Sequence, residues 1–160
     1  MSDERSEDGD GLRPGERAVS LPHSPDADLF FIGVIRTPWT VRAECPKRGS
    51  PDGPICSIIV DERWRAALTG LAEHRRLQVL YWMHRARRDL VLQLPFRTGQ
   101  LTGSFALRSP VRPNPIASSI VDLVAIEETT IKVRGLDCLD GTPLIDLKPD
   151  RSRPPDQSAA

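Results

Sequence analysis

The sequence predicts an all-β chain, an antiparallel barrel or sandwich with one short helix between disordered tails. Three observations predict it. Short apolar and β-branched runs recur between residues 29 and 147, each of strand length. Clusters of Pro, Gly, Asp and Asn stand between them and supply turns. One segment carries a helix start signal followed by apolar residues on one side.

The elements follow in chain order. Residues 1–26 are rich in Ser, Asp, Glu, Gly and Pro and poor in large apolar groups. Burial there does not offset chain ordering, so a disordered acidic tail is expected. Residues 27–150 are expected to form the folded domain, and residues 151–160 a second flexible tail. Residues 29–36 are an apolar strand that stops before Pro38. Residues 39–54 are a long loop of Pro, Gly and charge, and 55–60 a β-branched strand. Asp61 is placed as N-cap of a short helix over 62–71, with Trp64, Leu68 and Leu71 on one side and Gly70 near its end. Strands follow at 77–84, at 89–94 before Pro95, and at 103–107. The set closes with strands at 118–126, 130–133 and 144–147, and Glu127-Glu128-Thr129 reads as a hairpin turn between two of them. No internal repeat is present.

The chain has 160 residues, which suits one core, and its 22 basic and 22 acidic side chains cancel. The distribution is uneven. Ten arginines lie between Arg63 and Arg112 against two acids, Glu73 and Asp89, while the N-terminal segment is acidic. An all-arginine middle fits a nucleic-acid footprint, and it also fits solvated strand faces and loops. Cys45, Cys56 and Cys138 have no paired spacing, and His23, His74 and His84 have no metal-ligand spacing. Neither a disulfide framework nor a metal site is expected, and the cytoplasm is the expected compartment. No apolar run approaches the length of a membrane span, and the polar start is not a signal peptide.

Arg108-Ser109-Pro110-Val111-Arg112-Pro113-Asn114-Pro115-Ile116 is the most informative stretch. Its prolines fix φ and exclude helix interior and central strand. Two guanidinium groups and an amide are thereby held on a stiff loop, which suits a polar or anionic ligand because little ordering entropy remains to be lost. The bland alternative is a connection with solvated arginines. Asp137-Cys138-Leu139-Asp140-Gly141-Thr142-Pro143 then Asp146-Leu147-Lys148-Pro149 forms a second motif. It also fits a plain β-turn followed by a surface ion pair.

With Ile32-Gly33-Val34-Ile35-Arg36-Thr37-Pro38 near the start, these segments resemble, in order and over residues 29–149, the TsaA-like family, whose best-known members are the TrmO tRNA methyltransferases. The resemblance implies a single-sheet antiparallel β-barrel, S-adenosyl-L-methionine as methyl donor, and tRNA as partner. The acceptor it implies is N6 of threonylcarbamoyl-adenosine next to the anticodon. It also implies a homodimer. A methyltransferase with another small-molecule or base acceptor, and a non-catalytic donor-binding module, are the other readings.

Residue by residue, the resemblance places Pro46, Lys47 and Arg48 at a donor-contacting segment, and His84 and Arg85 at a strand end lining the same pocket. It gives Arg108 to the donor or the developing charge, Arg112 and Asn114 to the substrate, and Ser118 to a donor contact. Asp137, Asp140, Gly141 and Thr142 would hold adenine and ribose, with Arg108 and Asp140 catalytic. For His84 the alternative is a strand-end histidine without a ligand. The chain departs from the family pattern at His74-Arg75-Arg76, where Phe-Ser-His is usual, at Gln78 for Trp, and at Ala117 for Gly. It is a short member, and no counterpart of the extra C-terminal domain of longer TrmO enzymes is read in it.

Overall fold

A computed structural model of the chain describes residues 11–152. The strands are β1 (Arg17–Ala18), β2 (Gly33–Arg36), β3 (Ile55–Val60), β4 (Arg76–Trp82), β5 (Leu90–Gln93), β6 (Thr102–Gly103), β7 (Ile116–Glu127), β8 (Thr130–Arg134) and β9 (Thr142–Pro149). Two compact units divide them: residues 11–28 with 83–116, and residues 29–82 with 117–152.

The larger unit is a closed six-stranded barrel in the order β2-β3-β8-β7-β4-β9. Closure leaves no open strand edge. Period-two burial builds its core. Ile58 and Val60 of β3, Leu77, Val79 and Tyr81 of β4, and Ile131 and Val133 of β8 are all at most 3 % exposed. Ile35, Cys56, Val121, Leu136, Cys138 and Leu144 are buried with them. Each such aliphatic side chain contributes about 1.5–3 kcal/mol by leaving water. β4 runs antiparallel to β9, and the register shifts between Leu80 and Tyr81; such an irregularity re-aims the side chain beside it. β7 and β8 join through a two-residue turn in which Glu128 has φ +56°.

The smaller unit is a three-stranded sheet in the order β1-β5-β6. Here order appears where composition led to an expected tail. Arg17 and Ala18 pair with Leu92 and Leu90, and Val19 N–H donates to the Asp89 carbonyl at 2.8 Å. A buried carboxylate fastens this segment. Glu16 accepts from the backbone N–H of Arg13 (3.0 Å) and of Leu94 (2.9 Å). The rest of the expected tails, residues 1–10 and 153–160, lies outside the described residues.

Burial alone would raise the Glu16 carboxyl. The N–H groups of Leu94 and Arg13, with the charges of Arg13 and Arg87, outweigh burial and hold it below its usual range. A lowered folded pKa stabilises above the ordinary glutamate range, and that stabilisation is lost as pH falls through the folded value. The Leu94 amide is therefore expected to be protected from hydrogen exchange at neutral pH and to lose protection on acidification. Glu16→Gln should cost about 1–3 kcal/mol and flatten that pH dependence.

Other elements differ in extent from the sequence reading. The expected helix is a 3₁₀ segment, Glu62–Leu68, with Trp64 and Leu68 half-buried on one side. The Asp61 side chain caps nothing, because its own carbonyl takes the Trp64 N–H. β4 ends at Trp82, so His84 lies beyond it in a turn closed by Ala86 N–H to the Met83 carbonyl at 3.0 Å. The strand expected over 103–107 is mostly a 3₁₀ turn, Ser104–Ala106. Buried Ser104 donates there to the Leu90 carbonyl at 2.8 Å and so binds the turn to β5.

Candidate functional site

In the barrel unit, two separated motifs meet at the end of β2. Thr37 N–H donates to Asp140 Oδ1 at 3.1 Å, and Thr37 Oγ1 donates to the Cys138 carbonyl at 2.8 Å. Arg36 Nη1 stands 3.5 Å from Asp140 Oδ2. Asp140 N–H donates to the Trp39 carbonyl at 2.7 Å, and Gly141 N–H to the Ile35 carbonyl at 2.8 Å. Thr142 turns both its N–H and its hydroxyl onto the Leu139 carbonyl. Gly141 adopts φ +82°, the left-handed conformation that favours glycine. Asp140 is thus a latch between the Arg-Thr-Pro and Asp-Gly-Thr-Pro motifs. The N–H groups of Asp140, Gly141 and Thr142 are spent inside the chain, and the Cys138 and Leu139 carbonyls accept within it as well.

Asp137, three residues earlier, is differently placed. Its Oδ1 accepts from the Tyr81 hydroxyl at 2.8 Å, and the Tyr81 hydroxyl oxygen also lies 2.8 Å from the hydroxyl of Ser119. Because the phenol donates to Asp137, Ser119 supplies the other proton. Burial, then the Asp137 charge, pushes the Tyr81 phenol far above its ordinary range, so it stays protonated and remains a donor. Asp137 Oδ2 takes no hydrogen bond among the described residues. Half-buried Cys45 has its thiol raised first by burial and then by Asp137 and Glu44. The carboxylate field therefore reaches the loop that carries Pro46, Lys47 and Arg48.

Gly49 pins that loop. A Cβ at Gly49 would lie 1.7 Å from the Gly135 carbonyl oxygen, so only glycine permits this backbone-to-backbone approach. Pro46, Lys47 and Arg48 are exposed just before it. The barrel unit thus brings together Pro46, Lys47, Arg48, Asp137, Asp140, Gly141 and Thr142. Ser118 lies on β7, where its hydroxyl accepts from Gln78 Nε2 at 3.0 Å. Gln78 holds the position that the family pattern gives to Trp, and a polar pair stands there instead.

The smaller unit holds the arginine-proline loop. Arg112 folds back to donate to the carbonyls of Leu107 (2.9 Å) and Ser109 (3.1 Å). Gln93 Nε2 donates to the Val111 carbonyl at 2.7 Å, and Arg88 donates to the Pro113 carbonyl and to Asn114 Oδ1. Arg112 and Asn114, expected as substrate contacts, are therefore loop ties in this structure. Arg108 is exposed and has no hydrogen bond or ion pair among the described residues, and the same holds for His84 and Arg85.

Sequence reasoning missed Tyr81, Ser119, Thr37, Gly49 and Gln93. Thr37 lay inside a quoted motif and Gly49 beside one, so both were legible. Tyr81 and Asp137 are 56 residues apart and only barrel closure joins them. Among the described residues no three His, Cys, Asp or Glu side chains cluster as metal ligands, and no helix is long and apolar enough to cross a membrane.

A closed six-stranded barrel, with an aspartate latch joining its Arg-Thr-Pro and Asp-Gly-Thr-Pro turns, defines a TsaA-like barrel protein. The chain belongs to the tRNA-methyltransferase O family: the model of that family's N-terminal domain matches residues 34–152. It is 53 % identical over 141 residues to the "Probable S-adenosyl-L-methionine-binding protein VirR" of Rhizobium radiobacter, covering 88 % of this chain and 81 % of that protein. It is 32 % identical over 130 residues to the tRNA (adenine(37)-N6)-methyltransferase of Escherichia coli, covering 74 % of this chain and 55 % of the relative. The crystal structure of TrmO from Pseudomonas aeruginosa superposes with a TM-score of 0.64 at 28 % identity, over 78 % of this chain and 55 % of that one. The chain thus spans about half the length of these two proteins.

Proposed function

We propose that this protein is an S-adenosyl-L-methionine-dependent tRNA methyltransferase acting on N6 of the adenosine next to the anticodon, with threonylcarbamoyl-adenosine as the acceptor. One observation carries the reading: on a barrel of this family, a half-buried aspartate, Asp137, is held by a buried phenol two residues from Gly135, against whose backbone Gly49 pins the 46–48 loop. The donor is a sulfonium cation with a purine, and it asks for carboxylate and carbonyl oxygens rather than phosphate-binding N–H groups. Asp137 supports the reading, because its Oδ1 is held by Tyr81 while its Oδ2 takes no hydrogen bond among the described residues.

When bound, the donor supplies a methyl group open to in-line attack by nitrogen. The protein's part is alignment and exclusion of water, which account for several orders of magnitude in such reactions. Asp137 attracts the cation, and Tyr81 and Ser119 fix its orientation. Asp140 acts as a positioning residue by locking Thr37 to the turn. For the exposed guanidinium of Arg108, support for a part in the transfer comes from the family resemblance of its Arg-Ser-Pro motif alone. Pro46, Lys47 and Arg48 form the donor-side loop, and a homodimer in the cytoplasm is the proposed working state.

A second reading, a donor-binding module without turnover, draws on one observation. Where the family pattern has Phe-Ser-His, Arg76 pairs with Asp150 at 2.7 Å, so a structural ion pair occupies part of that place. Incubating the protein with labelled donor and total tRNA from a strain lacking the gene separates the two. Digestion to nucleosides is expected to yield methylated threonylcarbamoyl-adenosine. Donor uptake by calorimetry without any labelled nucleoside would instead establish the module.

A further inference from the structure

We propose that the smaller unit docks a single-stranded segment of RNA, with Phe96 and Arg13 forming a stacking platform for a base. This rests on tRNA being the partner, and it names the surface that receives it.

The platform is built rather than incidental. Phe96 is 80 % exposed, an unusual state for the largest apolar side chain of its loop. The guanidinium of Arg13 lies over its ring, 4.2 Å from the centroid. Arg13 is itself held, with Nη1 donating to the Leu94 carbonyl at 2.7 Å and Nε 3.6 Å from Glu16. The Glu16 carboxylate also binds the Leu94 N–H two residues before Phe96. The side chains are therefore ordered before any ligand arrives, so little ordering entropy is left to lose. A planar guanidinium on an exposed ring is a surface on which a nucleobase stacks without regard to sequence.

Charge selects the partner. The described part of this unit, residues 11–28 and 83–116, has eight arginines, no lysine and four acids. Two of those acids are consumed internally, Glu16 by backbone donors and Asp89 by Arg87 at 2.7 Å. The side chains of Arg17, Arg85, Arg97 and Arg108 have no hydrogen bond or ion pair among the described residues. The barrel residues, 29–82 and 117–152, carry 12 basic and 12 acidic side chains. The basic surplus thus belongs to the unit that also exposes Phe96 and Phe105, the latter at 82 %. An anionic chain that offers flat apolar rings is a nucleic acid with unpaired bases.

The test uses the full chain and a fluorescently labelled anticodon stem-loop RNA, with binding followed by anisotropy at several salt concentrations. Phe96→Ala is expected to weaken binding roughly tenfold, Phe96→Trp to restore it, and neither to move the melting temperature. Arg97→Ala should lower the slope of log affinity against log salt by about one. If the wild type methylates tRNA while Phe96→Ala binds and methylates as well as the wild type, the platform is overturned and the function stands. If the wild type neither binds the RNA nor methylates tRNA, the functional reading falls and the platform with it. A poly-glutamate peptide bound as tightly as the RNA, with no loss in Phe96→Ala, would also overturn the platform.

Discussion

Arg108→Ala lowers methyl transfer to tRNA by roughly 10²- to 10³-fold, the size seen when one donor to a developing charge is removed, and leaves the melting temperature unchanged. The two halves of that expectation have separate causes. Arg108 is exposed and has no partner among the described residues, so the folded chain loses no contact with it. Its loop is rigid for other reasons, namely the ties from Arg112, Gln93 and Arg88 and the bond from Val111 N–H to Ser109 Oγ at 3.2 Å. Arg112→Ala is the matched control. It strands the Leu107 and Ser109 carbonyls, so it should reduce thermal stability along with activity. Full activity in Arg108→Ala, or a melting-temperature drop as large as that of Arg112→Ala, would remove Arg108 from the chemistry.

Gly49→Ala is expected to be the most damaging single methyl group in the barrel unit. The new Cβ would stand 1.7 Å from the Gly135 carbonyl oxygen and 2.5 Å from its carbon. Both are backbone atoms, so no side chain can swing away, and a cost of about 3 kcal/mol, at the upper end of ordinary overpacking, is expected. Relief comes by lifting the loop from the turn, which also separates Pro46, Lys47 and Arg48 from Asp137. Calorimetry should therefore show a lower melting temperature and at least a tenfold loss of donor affinity. Gly103→Ala serves as control, because nothing lies within 4 Å of its added carbon; it should stay within about 0.5 kcal/mol of wild type. Equal behaviour of the two variants would show that the close approach holds nothing.

Much of this architecture is legible in the sequence. The run over 55–60 is β3 at both ends, and Glu127-Glu128-Thr129 is the turn between β7 and β8, because alternation and turn chemistry are local signals. β1 was not legible, since two residues carry no period and their pairing depends on Glu16 reaching Leu94 across the chain. The site divides along the same line. Asp137, Asp140 and the arginine loop stand in contiguous motifs and were legible as candidates. The roles of Asp140, Arg112 and Asn114 as ties were hidden, because a side chain's partner is set by folding and not by its neighbours in sequence. Tyr81 looked like any aromatic in an alternating strand until barrel closure brought Asp137 to its hydroxyl.

The thiols of this chain give the chemist an opening. Cys56 and Cys138 are 2 % and 1 % exposed, and burial above all pushes the Cys138 thiol up to about 12, which keeps it unreactive. Cys45 alone is half-open, and its thiol too is raised, so a maleimide dye is expected to attach there selectively at mildly alkaline pH without any engineered cysteine. The dye would sit on the loop next to Asp137, and its emission would report arrivals at that carboxylate in real time.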